Sequence, residues 1–400
     1  LNTPAPAHAA AGPSPGTSMH FDFNEDQREL KRSARRFLEQ RVGLSEVRRQ
    51  AERGGYDPAL YQRMAEELAW TGLAIPEAAG GYGFTWVELA AVLEETGRWL
   101  TPSPLLSSAG LAAAMIRAVA TDAQQAELLP GIVDGSRVMA LAACSGEGRW
   151  KGLAGAAGRC TTTGDGVRIS GTWRAVVDAP AATDLLLLCR EGEAVRVVLA
   201  PAGAAGLTIT ELATMDATRR LGAVEADDLS LPASAVLGDT ADASAAAQRG
   251  LDVGALLVAA ELLGVAEACL DMAVDYAKTR VQFGKPIGSF QAIKHLCADM
   301  TLHVECARSA VYYAAWLASQ PDTSDAALAE AAATAKATAS TAAFHNAGQN
   351  IQIHGGIGIT WEHDAQLYFK RARAAEALLG DALFHEQRVA NALFDAAPLP

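Results

Sequence analysis

Two short segments of this chain carry residue types able to hold a phosphorylated ligand with a flat ring. The first is Tyr276-Ala-Lys-Thr-Arg-Val-Gln-Phe-Gly-Lys-Pro-Ile-Gly-Ser-Phe-Gln291. It leaves a long apolar run, turns at Gly284-Lys-Pro-Ile-Gly288 and enters a second helical pattern at Ser289. Arg280 and Phe283 stand three residues apart beside that turn. A guanidinium binds a pyrophosphate bidentately through its planar fork, and an aromatic side chain can lie against a flat ring. The second segment is Gln352-Ile-His-Gly-Gly-Ile-Gly-Ile-Thr360. Its glycine pair lets backbone N–H groups come close to a ligand.

In this order and at this separation, the two segments resemble the C-terminal domain of the acyl-CoA dehydrogenase family. The resemblance implies that the chain binds FAD. It also implies that Arg280, Phe283, Gln291, Gln352, Gly355 and Gly356 contact that cofactor. In the family this half-site is shared across a dimer: the C-terminal helices of one subunit hold the adenosine and pyrophosphate end of the neighbour's flavin.

The half that holds the flavin ring departs from the family pattern. Where the family has a "TEPxxGSD"-like loop, this chain reads Ala143-Cys-Ser-Gly-Glu-Gly-Arg-Trp150. Alanine replaces the threonine, and Arg149 sits near the family serine. Where the family has "GxKxWITN", this chain reads Gly171-Thr-Trp-Arg-Ala-Val-Val-Asp178. Ala175 and Val177 take the positions of the stacking aromatic and the hydrogen-bonding threonine, and neither can do that work. A shift of register by one or two would instead bring Trp173 to the ring.

The base is missing as well. Acyl-CoA dehydrogenation removes a weakly acidic proton α to a thioester and passes the β-hydride to flavin N5. The proton needs a positioned carboxylate in a desolvated pocket. An ungapped reading from Gly355 arrives at Leu379-Gly380 where most of the family has Glu-Gly. A second branch keeps its Glu on the first long helix of the bundle, and that position here is Gly254. Asp381 is the best substitute base. Glu261, roughly 10 Å further along the same helix, is a second, and Asp252 flanks Gly254.

These residues need elements to place them. Asp26–Gln40, Asp57–Trp70 and Trp86–Leu100 show helical periodicity. Between the last two lies Ile75-Pro-Glu-Ala-Ala-Gly-Gly-Tyr-Gly-Phe84, similar to the family's "IPExxGGxG" loop. Short β-type runs follow at Val138–Ala143, Val167–Ser170, Leu185–Cys189, Val195–Ala200 and Leu207–Ile209. Long Ala-rich helical runs then reach Thr279, span Ser289–Ser319 and Asp325–Ile353, and give way to shorter ones at Ala365–Ala377 and Leu383–Phe394. The expected class is α+β: an N-terminal all-helical domain (19–134), a small central β-barrel-like domain (135–238) and a C-terminal antiparallel four-helix bundle (239–400). Residues 1–18, rich in Ala, Pro, Gly and Ser, read as a disordered extension.

Bulk properties exclude other classes. The formal net charge of −13 opposes nucleic-acid binding. No stretch reads as apolar for long enough to cross a membrane. The six cysteines include no CxxC pair and read as buried thiols in a reducing cytoplasm. His295, His303, His345, His363 and His385 lack metal-ligand spacing with acidic partners, so no metal is expected. His354, inside the glycine motif, could approach a ligand or be packed. Lys370, Arg371 and Arg373 form a basic cluster that reads as a solvated face.

Three functions fit. The chain is the partner subunit of a mixed α2β2 dehydrogenase acting on an acyl-CoA thioester, lending its half-site to a second acyl-CoA dehydrogenase subunit. Alternatively it is a self-sufficient homotetramer with a displaced base, or a non-enzymatic scaffold that binds acyl-CoA or protein. Electron-transfer flavoprotein as oxidant is implied by resemblance alone.

Overall fold

The computed structural model describes residues 23–148, 150–164 and 166–396. The extension at 1–18 and Arg149 lie outside the described residues. The periodic pattern from Asn24 forms α1 (Glu25–Arg41), opened by a reciprocal cap between Asn24 and Gln27. Then come α2 (Gly43–Arg53), α3 (Pro58–Glu66) and α4 (Trp86–Arg98). A π-helical segment, Leu105–Ala112, leads into α5 (Ala113–Val119) and α6 (Asp122–Val133). Periodicity does not single out α2, which buries only Val47, nor α6, which carries Pro130 inside it.

Seven strands follow: β1 (Met139–Ala142), β2 (Gly158–Thr163), β3 (Gly166–Val177), β4 (Asp184–Glu191), β5 (Ala194–Pro201), β6 (Leu207–Leu212) and β7 (Leu221–Leu231). They form one mixed sheet. β5 lies along one side of β4, β1 and β2 share the other, and pairing continues through β3 and β7 to β6. Leu185 and Leu187 of β4 join Trp173, Val198 and Val224 in a core that the curled sheet wraps, which makes the domain barrel-like. The alternate residues Leu186 and Leu188 face the helical core instead, as strand alternation requires. The strands β2 and β7 are absent from the sequence reading. The burial of β2 runs out after Cys160, and in β7 exposed Asp228 falls where the next buried residue after Ala226 would stand, shifting the alternation by one.

The C-terminal part is built on α7 (Ser244–Thr279), α8 (Gln291–Ala318) and α9 (Asp325–His354), with α10 (Ala365–Glu376) and α11 (Ala382–Ala396) packed on α9. The membrane expectation needs correction. By length and composition α7 could cross a membrane, but its apolar window is 89% buried. It is the central helix of the fold, apolar on every side because α4, α5, α8 and α9 all pack on it.

Candidate functional site

Arg280 ends α7, its N–H donating to Tyr276 O at 2.8 Å. Its carbonyl accepts from the Ile287 N–H at 2.8 Å, closing a small hairpin of β8 (Val281–Gln282) and β9 (Lys285–Pro286). The two-residue turn puts Phe283 at φ 53° and Gly284 at φ 76°, the pattern of a primed hairpin turn. A side chain at such a φ is strained, by about 1–2 kcal/mol. Phe283 is also 90% exposed. A strained aromatic held out in solvent marks a place where something else arrives.

Gln291 begins α8 and is exposed, as are Gln352 at the end of α9 and the following Gly355 and Gly356. Gly355 has φ +66°, and a Cβ at either glycine would meet nothing within 4 Å. The two segments are tied at their roots by Tyr276 and His354, whose rings stack 4.2 Å apart. His354 is therefore packed, with Nδ1 2.8 Å from Asn350 O, and burial lowers its pKa. The structure thus presents all six predicted residues on open surface at one end of the bundle, with nothing among the described residues against the two glycines. An arginine, an aromatic ring and free backbone N–H groups suit a pyrophosphate and adenosine.

The ring half is closed. Ala143, Cys144, Trp150, Ala175, Val177 and Leu379 line a cavity of about 60 Å³. Ligand sites run to roughly 300–1,000 Å³, so an isoalloxazine does not fit between these walls. Ala175 and Val177 both face this cavity. Trp173 instead lies in the β-domain core, with Nε1 donating to Leu188 O at 3.0 Å. That settles the register and removes Trp173 as a stacking partner. Trp150, close to Gly380, is a wall residue that sequence reasoning did not assign.

The two places for a base meet at this cavity. A Cβ added at Gly254 would lie 3.1 Å from both Leu379 Cδ1 and Leu111 Cδ2. Two positions far apart in sequence therefore reach one point, and that point is apolar. The substitute carboxylates are elsewhere. Asp381 is exposed and caps α11, accepting from the Phe384 N–H at 2.8 Å. Glu261 is buried in an ionic cluster with Arg219 and Arg371, the latter bonded at 2.9 Å. Arg371 also holds Asp216 at 2.6 Å. Asp252 pairs with Arg388 at 2.7 Å. None of the three acids is a poised base in a desolvated pocket, so Asp381 and Glu261 do not fit that role. The reading of Lys370, Arg371 and Arg373 as a solvated face also fails at Arg371, which is fully buried among those acids.

The loop that carries Leu379 is pinned from behind. The buried Lys336 amine donates to Glu376 O and Gly380 O, each at 2.8 Å. His385 Nε2 lies 3.0 Å from Leu379 O. Burial brings Lys336 down to about 7 and His385 to about 3, so the imidazole is neutral and donates. Among the described residues no cluster able to hold a metal exists, and all six cysteines are free. Cys160, Cys189 and Cys269 are buried, whereas Cys306 is exposed.

Comparison with known proteins agrees with this architecture. Residues 244–394 match the family profile described as acyl-CoA dehydrogenase, C-terminal domain, and residues 24–136 match its N-terminal domain counterpart. The acyl-CoA dehydrogenase IpdE2 of Mycobacterium tuberculosis is 34% identical over 357 residues, 89% of this chain and 93% of that protein. The solved ChsE4–ChsE5 complex of Mycobacterium tuberculosis superposes with a TM-score of 0.86 at 28% identity, covering 95% of this chain and all of the matched one. A variant of the Tcur3481–Tcur3483 steroid ACAD gives 0.82 at 30% identity, covering 93% and 98%. The chain belongs to the acyl-CoA dehydrogenase family of FAD-dependent oxidoreductases.

Proposed function

We propose that this chain is the non-catalytic partner in a mixed α2β2 acyl-CoA dehydrogenase. It lends Arg280, Phe283, Gln291, Gln352, Gly355 and Gly356 to the adenosine and pyrophosphate end of a flavin. The ring of that flavin sits in a second, catalytic subunit. FAD, when bound, takes the β-hydride; this chain's residues bind its phosphates and fix its position. The observation that carries the reading is the closed, wholly apolar point where Gly254, Leu111 and Leu379 meet. A chain that offers one half-site open and keeps the other shut is incomplete alone and complete beside a different subunit.

The two-named-chain complex among the solved relatives supports a mixed assembly. The steroid ACAD among them supports a thioester of a steroid side chain as the substrate class. Electron-transfer flavoprotein is the oxidant we expect, and free thiols fit a cytoplasmic setting.

Visible absorbance of the chain purified alone, with its mass by light scattering, tests this. The expected protein is colourless and gains one FAD per pair of chains only when a second dehydrogenase subunit is co-expressed. A yellow homotetramer with one flavin per chain would overturn the proposal. A chain that never raises the flavin content of any partner would point to the scaffold.

A further inference from the structure

A second cavity shares no lining residue with the flavin half-site or the ring wall. It occupies about 570 Å³ between the start of α4, α5, the first turns of α7 and the end of α8. Its defining group is Arg117. One Nη donates to Ala74 O, and the guanidinium lies 4.5 Å from the centre of the Trp86 ring. Among the described residues no carboxylate pairs with it, and its other N–H groups have no protein acceptor. The second cation on the wall, Arg249, is already neutralised by Asp325 at 2.6 Å. The cavity therefore holds one uncompensated positive charge. The rest of the wall divides in two. Gln320 and Thr85 are polar, while Phe84, Ala114, Ala118 and Val253 are apolar, and Phe84 is 54% exposed at the rim.

A half-buried cation without a counter-ion is costly unless an anion shares its site. Stacking on an aromatic ring recovers part of that cost and also fixes the plane of the guanidinium, so its free edge is preset for an oxyanion. Burial with no acidic partner lowers Arg117 to about 10, as this picture requires. The single net charge selects a monoanion. The apolar strip beside it suits a short hydrocarbon body.

We infer that this cavity binds a small organic monoanion, with its carboxylate head on Arg117 and a short apolar body along Phe84 and Ala118.

The test uses the full-length chain in its native assembly and titrates it calorimetrically with butyrate, then with inorganic phosphate, at constant ionic strength set by chloride. Butyrate should bind at one per chain and more tightly than inorganic phosphate, which has the head without the body. The order reversed, with both lost in Arg117→Gln, would overturn the carboxylate assignment in favour of a phosphorylated ligand. Arg117→Gln should weaken binding about tenfold or more, through one lost charge-assisted contact. Arg117→Lys should recover part of it. Ala118→Leu fills the apolar strip, keeps the charge, and should weaken butyrate while sparing inorganic phosphate. If Arg117→Gln does not fold, Ala118→Leu decides. Heats no larger than those of chloride, or butyrate affinity unchanged in both variants, would sink the inference.

Discussion

Lys336 shows how one side chain sets the state of a site it does not line. Its amine reaches across from α9 to the carbonyls of Glu376, at the end of α10, and Gly380, just before α11. Those bonds hold Leu379, at φ 55°, against Gly254. Burial lowers the amine from 10.5 to about 7, while Glu376 and Asp381 pull it upward and His385 faces it neutral. Between about pH 7 and 10.5 the unfolded chain therefore carries a proton that the native chain does not. The group opposes folding most at low pH, and stability rises with pH through that window, by up to about 1.4 kcal/mol per unit. Lys336→Met should flatten that slope in urea melts recorded from pH 7 to 10. At pH 10, where the linkage penalty has nearly gone, it should cost about 1–3 kcal/mol, because two carbonyls lose their donor. An unchanged slope would mean that the amine is charged throughout. Nothing in the Ala-rich text around Lys336 betrays this role, since its partners lie 40 and 44 residues away. Gly254 and Leu379, by contrast, were legible as non-bases from residue type alone, because neither side chain can take a proton.

Among the elements, α4 and α7 cross with backbone close against backbone. A Cβ on Gly264 would come within 1.8 Å of Glu94 O, and one on Gly97 within 2.0 Å of Glu261 O. Both obstacles are backbone, which cannot swing aside as a side chain can. Gly264→Ala should therefore force the helices apart and cost about 3 kcal/mol or more, at the upper end for overpacking. Chemical denaturation measures it, and a loss below about 1 kcal/mol would show that the pair relaxes by sliding. The crossing also aligns an ionic layer in which Glu95 binds Arg35 and Glu267 binds Arg308 and Arg98. Helix periodicity made the long helices readable in sequence to within a few residues. The crossing itself was not readable: two lone glycines in apolar helices look like weak helix formers until a neighbouring backbone is seen against them. The missed strands tell the same story: β2 is exposed after Cys160, and the alternation of β7 slips by one residue at Asp227-Asp228.

At the scale of the whole molecule, the proposed half-site makes the six exposed residues a surface feature of one chain whose effect is read in another. Arg280→Ala should leave the melting temperature of the isolated chain unchanged, because Arg280 is exposed and only its backbone is bonded. The same change should lower the flavin retained by the co-purified complex several-fold, through one lost charge-assisted bond. Flavin-to-protein absorbance ratios after gel filtration give the answer, and an undiminished ratio would remove Arg280 from the half-site. Sequence motifs alone located this end of the chain. That the opposite end is shut could be inferred from residue types but required packing to demonstrate, because cavity size depends on Trp150, Leu111 and Leu379 together.

The meeting of Gly254 and Leu379 has an evolutionary consequence. A glutamate introduced at 254 would collide with Leu379 and Leu111, and one introduced at 379 would still face a cavity too small for a flavin ring. Neither change brings any gain by itself. If the proposed mixed enzyme is the working form, a return to independent catalysis must pass through several replacements together, and the dependence is inherited along with the sequence.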